Sequence, residues 1–289
     1  MSFLLALVVD GALTGAVYAL AALAFVVVYK ASGVVNFALG EWLVLGSRLP
    51  AAAVHAALGL TAAAGAGAAG TAALGGAFSR LVLARLIGQP PIALIMVTLG
   101  LGTLLRGAMP IALRGVPAGV ALPLPAEALV VHGVPIAAGK LVAALAAALA
   151  IAGVLAFFRA SRTGVALRAI ADDQQVALTV GIDVQRYFAL TWALMAALSV
   201  LAGTLWTAVT GGGFGVVLLG LKVFPIVILG GLDSVAGAVV AALGLGVLES
   251  VVAGYLDPLV GGGFSSVAAY LVLLAVLFVR PHGLFGSRA

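Results

Sequence analysis

Cysteine is absent from this 289-residue chain, which excludes disulfides and thiolate metal sites. Charge is scarce as well. Only 8% of the residues are charged, against roughly a quarter in a soluble domain. Too little polar surface remains to face water, so the bilayer must act as solvent. The three histidines (His55, His132 and His282) lie far apart and form no ligand motif, and no carboxylate–histidine cluster is available for hydrolytic work. Nucleotide loops are missing too. GAGAAG at 65–70 has the letters of a dinucleotide fingerprint. No strand precedes it, however, and it reads as tight helix packing. GVPIAAGKL at 133–141 has five residues rather than four between its glycines, and Leu141 stands where a phosphate loop needs Ser or Thr for magnesium. The chain itself therefore holds no cofactor and is not expected to be an enzyme; energy for any transport must come from a gradient or from another polypeptide.

What is present is apolar sequence, 64% of the chain. A membrane helix needs about 20 mostly apolar residues. That length places spans near 4–29, 34–58, 61–84, 91–113, 138–158, 187–210, 215–231, 236–255 and 264–280, with eight to ten crossings as the range. The expected fold class is an all-α, polytopic transmembrane helical bundle forming one domain over 1–289. The segment 215–231 is short enough to be half of a broken helix. The first apolar run lacks a basic leader and is too long for a cleaved signal, so it reads as a retained span.

A sequence pI near 10.0 would suggest nucleic acid in a soluble protein, but cytoplasmic loops of membrane proteins collect Lys and Arg, and no nucleic-acid partner is expected. With the N-terminus outside, inner loops hold Lys30, Arg80, Arg85, Arg159, Arg162, Arg168, Arg186, Arg280 and Arg288, which is 9 of the 14 basic residues, while Arg114 and Lys140 fall outside. The expected orientation is N-terminus out and C-terminus cytoplasmic. The longest outer loop, 114–137, carries four prolines, and LVVHGVPI around His132-Gly133 could form a small hairpin. The 39 glycines, in runs such as LGLGTLLRG (99–107) and AGAVVAALGLG (236–246), supply the small surfaces that let membrane helices approach.

One polar island interrupts the apolar chain. From Arg159 to Arg186, 7 of 28 residues are charged. Arg159, Arg162 and Arg168 make a basic entrance, favoured beside the negative inner leaflet. A short amphipathic helix is then expected from Gly164 to Val180. Leu167, Ile170 and Ala171 share one face, followed by Ala177 and Leu178, with Arg168, Asp172, Gln175 and Thr179 on another. Gly181 suits a left-handed stop, and Asp183 an N-cap for the next span. No Trp or Phe is present to anchor this helix in a membrane interface. Its Ala, Leu, Asp and Gln composition fits a protein groove better.

ALRAIADDQQVALTVGID (166–183) resembles the cytoplasmic coupling segment in permeases of branched-chain amino acid ABC importers. VYALAALAFVVVYKASGVVNFALGEW (17–42) resembles the opening of the shorter of that family's two permease types. GLKVFPIVILGGLDSVAGAVVAALGLGVLES (220–250) and VRPHGLFG (279–286) also match, and the blocks follow in order along nearly the whole chain. The resemblance implies a permease subunit in the inner membrane. Its implied partners are a second permease, two cytoplasmic ATPases carrying the ATP and Mg, and an external substrate-binding protein. It implies coupling to the ATPase through Arg168, Ala171, Asp172, Asp173, Gln174, Ala177 and Gly181. The chain departs from the family's usual pattern at Leu39, where His is usual, at Asp233 for Gly and at Ala236 for Pro.

Ionisable groups inside spans are costly and point to function by default. Asn36 is read as a cap of the second span, and Glu41 as a charge favoured by that helix's N-terminal dipole. The alternative makes Asn36, Gly40 and Glu41 gate elements. Arg106 and Glu249 lie deeper and could pair with each other, and Asp233 is a further pathway candidate. An apolar route with a few Thr, Ser and backbone groups suits a small zwitterion, preferably a branched-chain amino acid. Urea or short amides, or a self-sufficient carrier, are the alternatives.

Overall fold

The computed structural model describes residues 2–86, 89–125, 127–131, 133–211, 214–260, 262–280 and 283–286. His132, His282 and Arg288 lie outside the described residues. Every expected span contains a helix: α1 (Ser2–Ser32), α2 (Leu39–His55), α3 (Leu60–Leu81), α4 (Pro91–Ala112), α5 (Ala138–Ala160), α8 (Val184–Thr210), α9 (Phe214–Gly230), α10 (Val235–Tyr255) and α12 (Phe264–Val279). Six of these are long and apolar enough to cross a bilayer, and α9 and α12 are shorter apolar helices. The expected outer hairpin forms as strands β1 (Ala128–Val131) and β2 (Val134–Ala137), antiparallel with Ala128 opposite Ala137. The polar island makes α6 (Arg162–Asp172) and α7 (Gln174–Thr179), and α11 (Asp257–Val260) links α10 to α12.

Helix α1 is the centre of the bundle. Its residues from Val17 to Val28 are all buried, with α10, α8, α5 and α9 packed around it. The closest approaches use glycine because a side chain has no room there. A Cβ on Gly11 would sit 2.5 Å from the Gly246 carbonyl oxygen, and one on Gly220 of α9 would sit 2.2 Å from the Gly40 Cα of α2. Backbones this close supply the packing that lipid gives no hydrophobic drive for. The GAGAAG run lies inside α3, where a Cβ on Gly67 would meet Pro50 of α2; it is a packing surface.

The segment 215–231 forms one short apolar helix, α9, and a clear helix break occurs elsewhere. The break lies between α1 and α2, and the expected start of the second span moves from residue 34 to Leu39. Residues 33–38 are non-helical yet lie beside the middles of other helices. Thr98, the eighth residue of α4, accepts from Phe37 N and donates to Val35 O, each at 3.3 Å. Asn36 meets Met195, the twelfth residue of α8. Phe37 stacks on Phe224, the eleventh of α9. At a rise of about 1.5 Å per residue, these levels lie roughly 10–17 Å along each helix. Irregular backbone at that depth survives only where protein or a cavity satisfies it.

Candidate functional site

The island is two helices rather than one. Ser161 caps α6 by accepting from Gly164 N at 2.9 Å. Gly164 is required because a Cβ there would sit 2.3 Å from the Phe158 carbonyl oxygen, where α5 turns into α6. Asp173 breaks the expected 164–180 helix: its backbone is extended, and its Oδ1 accepts from Gln175 N (2.7 Å) and Val176 N (3.0 Å) to cap α7. An aspartate that satisfies two first-turn donors offers the chain a better alternative than continuing the helix. Gly181 adopts φ +83°. Ile182 N then donates to Ala177 O and Gly181 N to Leu178 O, which is the Schellman closure of a helix end. Asp183 Oδ1 accepts from Arg186 N at 3.0 Å and caps α8.

This fold-back sorts the island's residues into two sides. Ile170 and Ala177 are buried with Val184 in a small cluster of their own, and Arg168 turns back to donate to Phe158 O. Ala177 therefore packs inside the island, and Arg168, half-buried, is tied to the end of α5. Ala171 is half-buried. Asp172, Asp173, Gln174, Gln175, Val176, Leu178 and Val180 are exposed. Leu178 thus leaves the apolar face that a single helix would have given it. Asp233, in the turn between α9 and α10, lines a 460 Å³ cavity with Lys30, Arg159, Arg168 and Phe285, so it belongs to the island's end of the bundle.

A second group surrounds the break before α2. Asn36 is fully buried; its Oδ1 accepts from Ala38 N at 3.0 Å, and its amide reaches Met195 Sδ at 3.8 Å. The N-cap position is Ala38, so Asn36 braces the approach to the helix two residues before it. Gly40 lets α2 cross α9 at Gly220. Glu41 does stand in the first turn of α2, where its charge complements the dipole. Arg106 of α4 binds it, with Nε donating to Oε1 at 3.1 Å. The Glu41 side chain is 6% exposed and that of Arg106 is 69%. Arg48 donates to the Leu113 (2.9 Å) and Val116 (3.1 Å) carbonyls. It joins Glu41 and Arg106 around a 100 Å³ cavity that also reaches Val217 of α9.

Arg106 and Glu249 do not meet. Helix α4 packs on α2, whereas α10 packs on α1 and α9. Glu249 Oε2 instead accepts from Lys222 Nζ of α9 and from Tyr18 Oη of α1, both at 2.8 Å. Lys222 is not among the site residues expected from the sequence. The available signal was that two opposite charges in apolar segments cost least when paired. Asp10 and Lys140 form a third pair, at 2.6 and 2.8 Å. Among the described residues no group of His, Asp and Glu could hold a metal.

Interhelical ion pairs, a helix break at depth and six membrane-length helices define a polytopic all-α membrane bundle. Within that class, the sequence profile of the branched-chain amino acid transport system permease component matches residues 7–280, and the chain belongs to this family. It is 30% identical to the high-affinity branched-chain amino acid transport system permease protein BraD of Pseudomonas aeruginosa, over 96% of this chain and 94% of that one. It is 29% identical to the corresponding permease protein LivH of Escherichia coli K12, with the same coverage. A probable branched-chain amino acid transport permease protein LivH of Methanocaldococcus jannaschii is 27% identical over 44% of this chain and 41% of that one. No solved structure matches.

Proposed function

We propose that this chain is a membrane-spanning permease subunit of an ABC importer that carries branched-chain or related amino acids inward. It forms one transmembrane domain over 1–289, with segment 159–186 as its cytoplasmic coupling element and 114–137 as its outer loop. It works with a second permease, two ATPases that supply ATP and Mg chemistry, and an external binding protein. The N-terminus is outside and the C-terminus cytoplasmic.

The observation that carries the pathway assignment is Arg106. Its side chain is largely uncovered, yet it is tied to Glu41 at depth rather than extended toward a helix end. A charge so placed faces a water-filled route or another subunit, not lipid. The α2–α4 face, with Asn36, Gly40, Glu41 and Arg106, is therefore the side turned to the pathway. At the island, exposed Val176, Leu178 and Val180 beside Asp172, Asp173 and Gln174 offer the ATPase apolar and acidic groups on either side of buried Ala177.

The experiment is reconstitution in liposomes with and without the ATPases. ATP-dependent leucine, isoleucine or valine uptake requires the ATPases on this reading. Uptake by this polypeptide alone along an ion gradient identifies a self-sufficient carrier instead, and ATP-dependent uptake of urea or short amides in place of amino acids replaces the substrate.

A further inference from the structure

A 350 Å³ cavity lies at the opposite end of the bundle from the polar island. Its rim is built by Lys140 near the start of α5, Thr210 at the end of α8 and Ser265 near the start of α12. The inner wall is Glu249, six residues before the end of α10, and Trp206, Val209 and Ala253 add apolar surface. The volume falls in the range of about 300–1,000 Å³ typical of small-molecule sites.

The chemistry of the lining is specific. Glu249 is only 9% exposed, and both of its hydrogen bonds, from Lys222 and Tyr18, go to Oε2. Oε1 accepts no hydrogen bond among the described residues and is not itself enclosed by the protein. At the rim, Lys140 gives two of its three donors to Asp10, which leaves one. The cavity thus presents a carboxylate oxygen and an ammonium group on one lining. Each belongs to a neutralised pair, so the site has no net charge to attract a simple ion.

We propose that this cavity is a binding subsite within the single subunit for a zwitterionic α-amino acid, with its ammonium group on Glu249 Oε1, its carboxylate on Lys140 and its apolar side chain against Trp206. The site is separate from the α2–α4 face. The choice of leucine as probe rests on the amino-acid reading above.

The test is a fluorescence titration of the full-length chain in phosphatidylethanolamine–phosphatidylglycerol nanodiscs. L-Leucine is expected to give a saturable change that disappears in Trp206→Phe, since Trp42 and Trp192 are fully buried elsewhere. 4-Methylpentanoate, which lacks the ammonium group, and 3-methylbutylamine, which lacks the carboxylate, should each bind at least tenfold more weakly. Glu249→Gln should weaken leucine at least tenfold. Because that variant also disturbs Lys222, Ser250→Leu provides a second probe that fills the cavity without touching an ion pair; it should abolish the signal with the melting temperature unchanged. No saturable signal, equal binding of leucine and the amine, or full binding in Ser250→Leu overturns the proposal. No leucine binding by the unmodified chain, with ATP-driven leucine uptake intact in the complete transporter, rejects the cavity alone. Saturable leucine binding without any amino-acid uptake counts instead against the importer reading.

Discussion

Individual residues here are governed by what an apolar surrounding does to charge. Lys222 and Glu249, 2.8 Å apart, compensate each other between two apolar helices. Removing one partner leaves a buried charge uncompensated, whereas removing both leaves none. Lys222→Met is therefore expected to cost about 3 kcal/mol, and Lys222→Met with Glu249→Gln to recover most of it, as read from thermal melting in detergent. Outside the spans, Asp257 shows the opposite situation. Ser265 N donates to its carboxylate at 2.8 Å, and the Ser265 hydroxyl (2.9 Å) and Gly263 N (3.4 Å) add to it. These bonds hold the Asp257 carboxyl below the usual carboxylate range. A depressed folded pKa means that the bonds contribute fully above the ordinary value of about 3.9. That contribution is lost as pH falls through the lowered value. Hydrogen-exchange protection of the Ser265 amide should persist as the pH is lowered to the ordinary carboxylate pKa and collapse only below it. In Asp257→Asn the protection should be weaker throughout and lack that acid step.

At the scale of elements, the α6–α7 fold-back decides which substitutions report on a partner and which report on the chain itself. Val176 and Leu178 are both 58% exposed, and Ala177 between them is buried. Val176→Asp and Leu178→Asp are expected to leave the melting temperature of the isolated subunit within the equivalent of about 0.5 kcal/mol, while abolishing ATPase copurification if α7 is the docking face. Ala177→Leu forces bulk against Ile170 and Val184. It should cost about 1–3 kcal/mol in the isolated subunit by overpacking. Copurification that survives both aspartate variants would remove α7 from the docking surface. The α2–α9 crossing is a similar case without any partner: Gly220→Val has no room beside Gly40, and lower melting temperature and yield are expected.

For the whole molecule, the arrangement to be tested is which end faces the cytoplasm. The absence of native cysteine makes single-cysteine labelling direct. Gln174→Cys in the island and Gly133→Cys in the hairpin turn are both exposed. A membrane-impermeant maleimide applied to intact cells should label the hairpin position and spare the island until the cells are permeabilised. The reverse pattern would invert the molecule and detach the island from any cytoplasmic motor.

Helix positions were legible because the length of an apolar run is a local property, fixed by bilayer thickness and rise per residue. The stops at Gly181 and Asp183 were legible because capping needs only neighbouring residues. Asp173 was misread for the same reason: the apolar spacing continues through it, and only the folded backbone shows its side chain capping the next turn instead. By itself, the sequence determined a many-helix membrane protein with a single polar interruption, since composition and run length suffice for that. Which charges meet, that α2 starts deep beside α4, α8 and α9, and which face of the island is free were decided by tertiary structure alone. Glu41 and Arg106 are 65 residues apart and Glu249 and Lys222 are 27 apart; electrostatic pairing acts over a few ångströms in space, a separation that only the packing of helices sets.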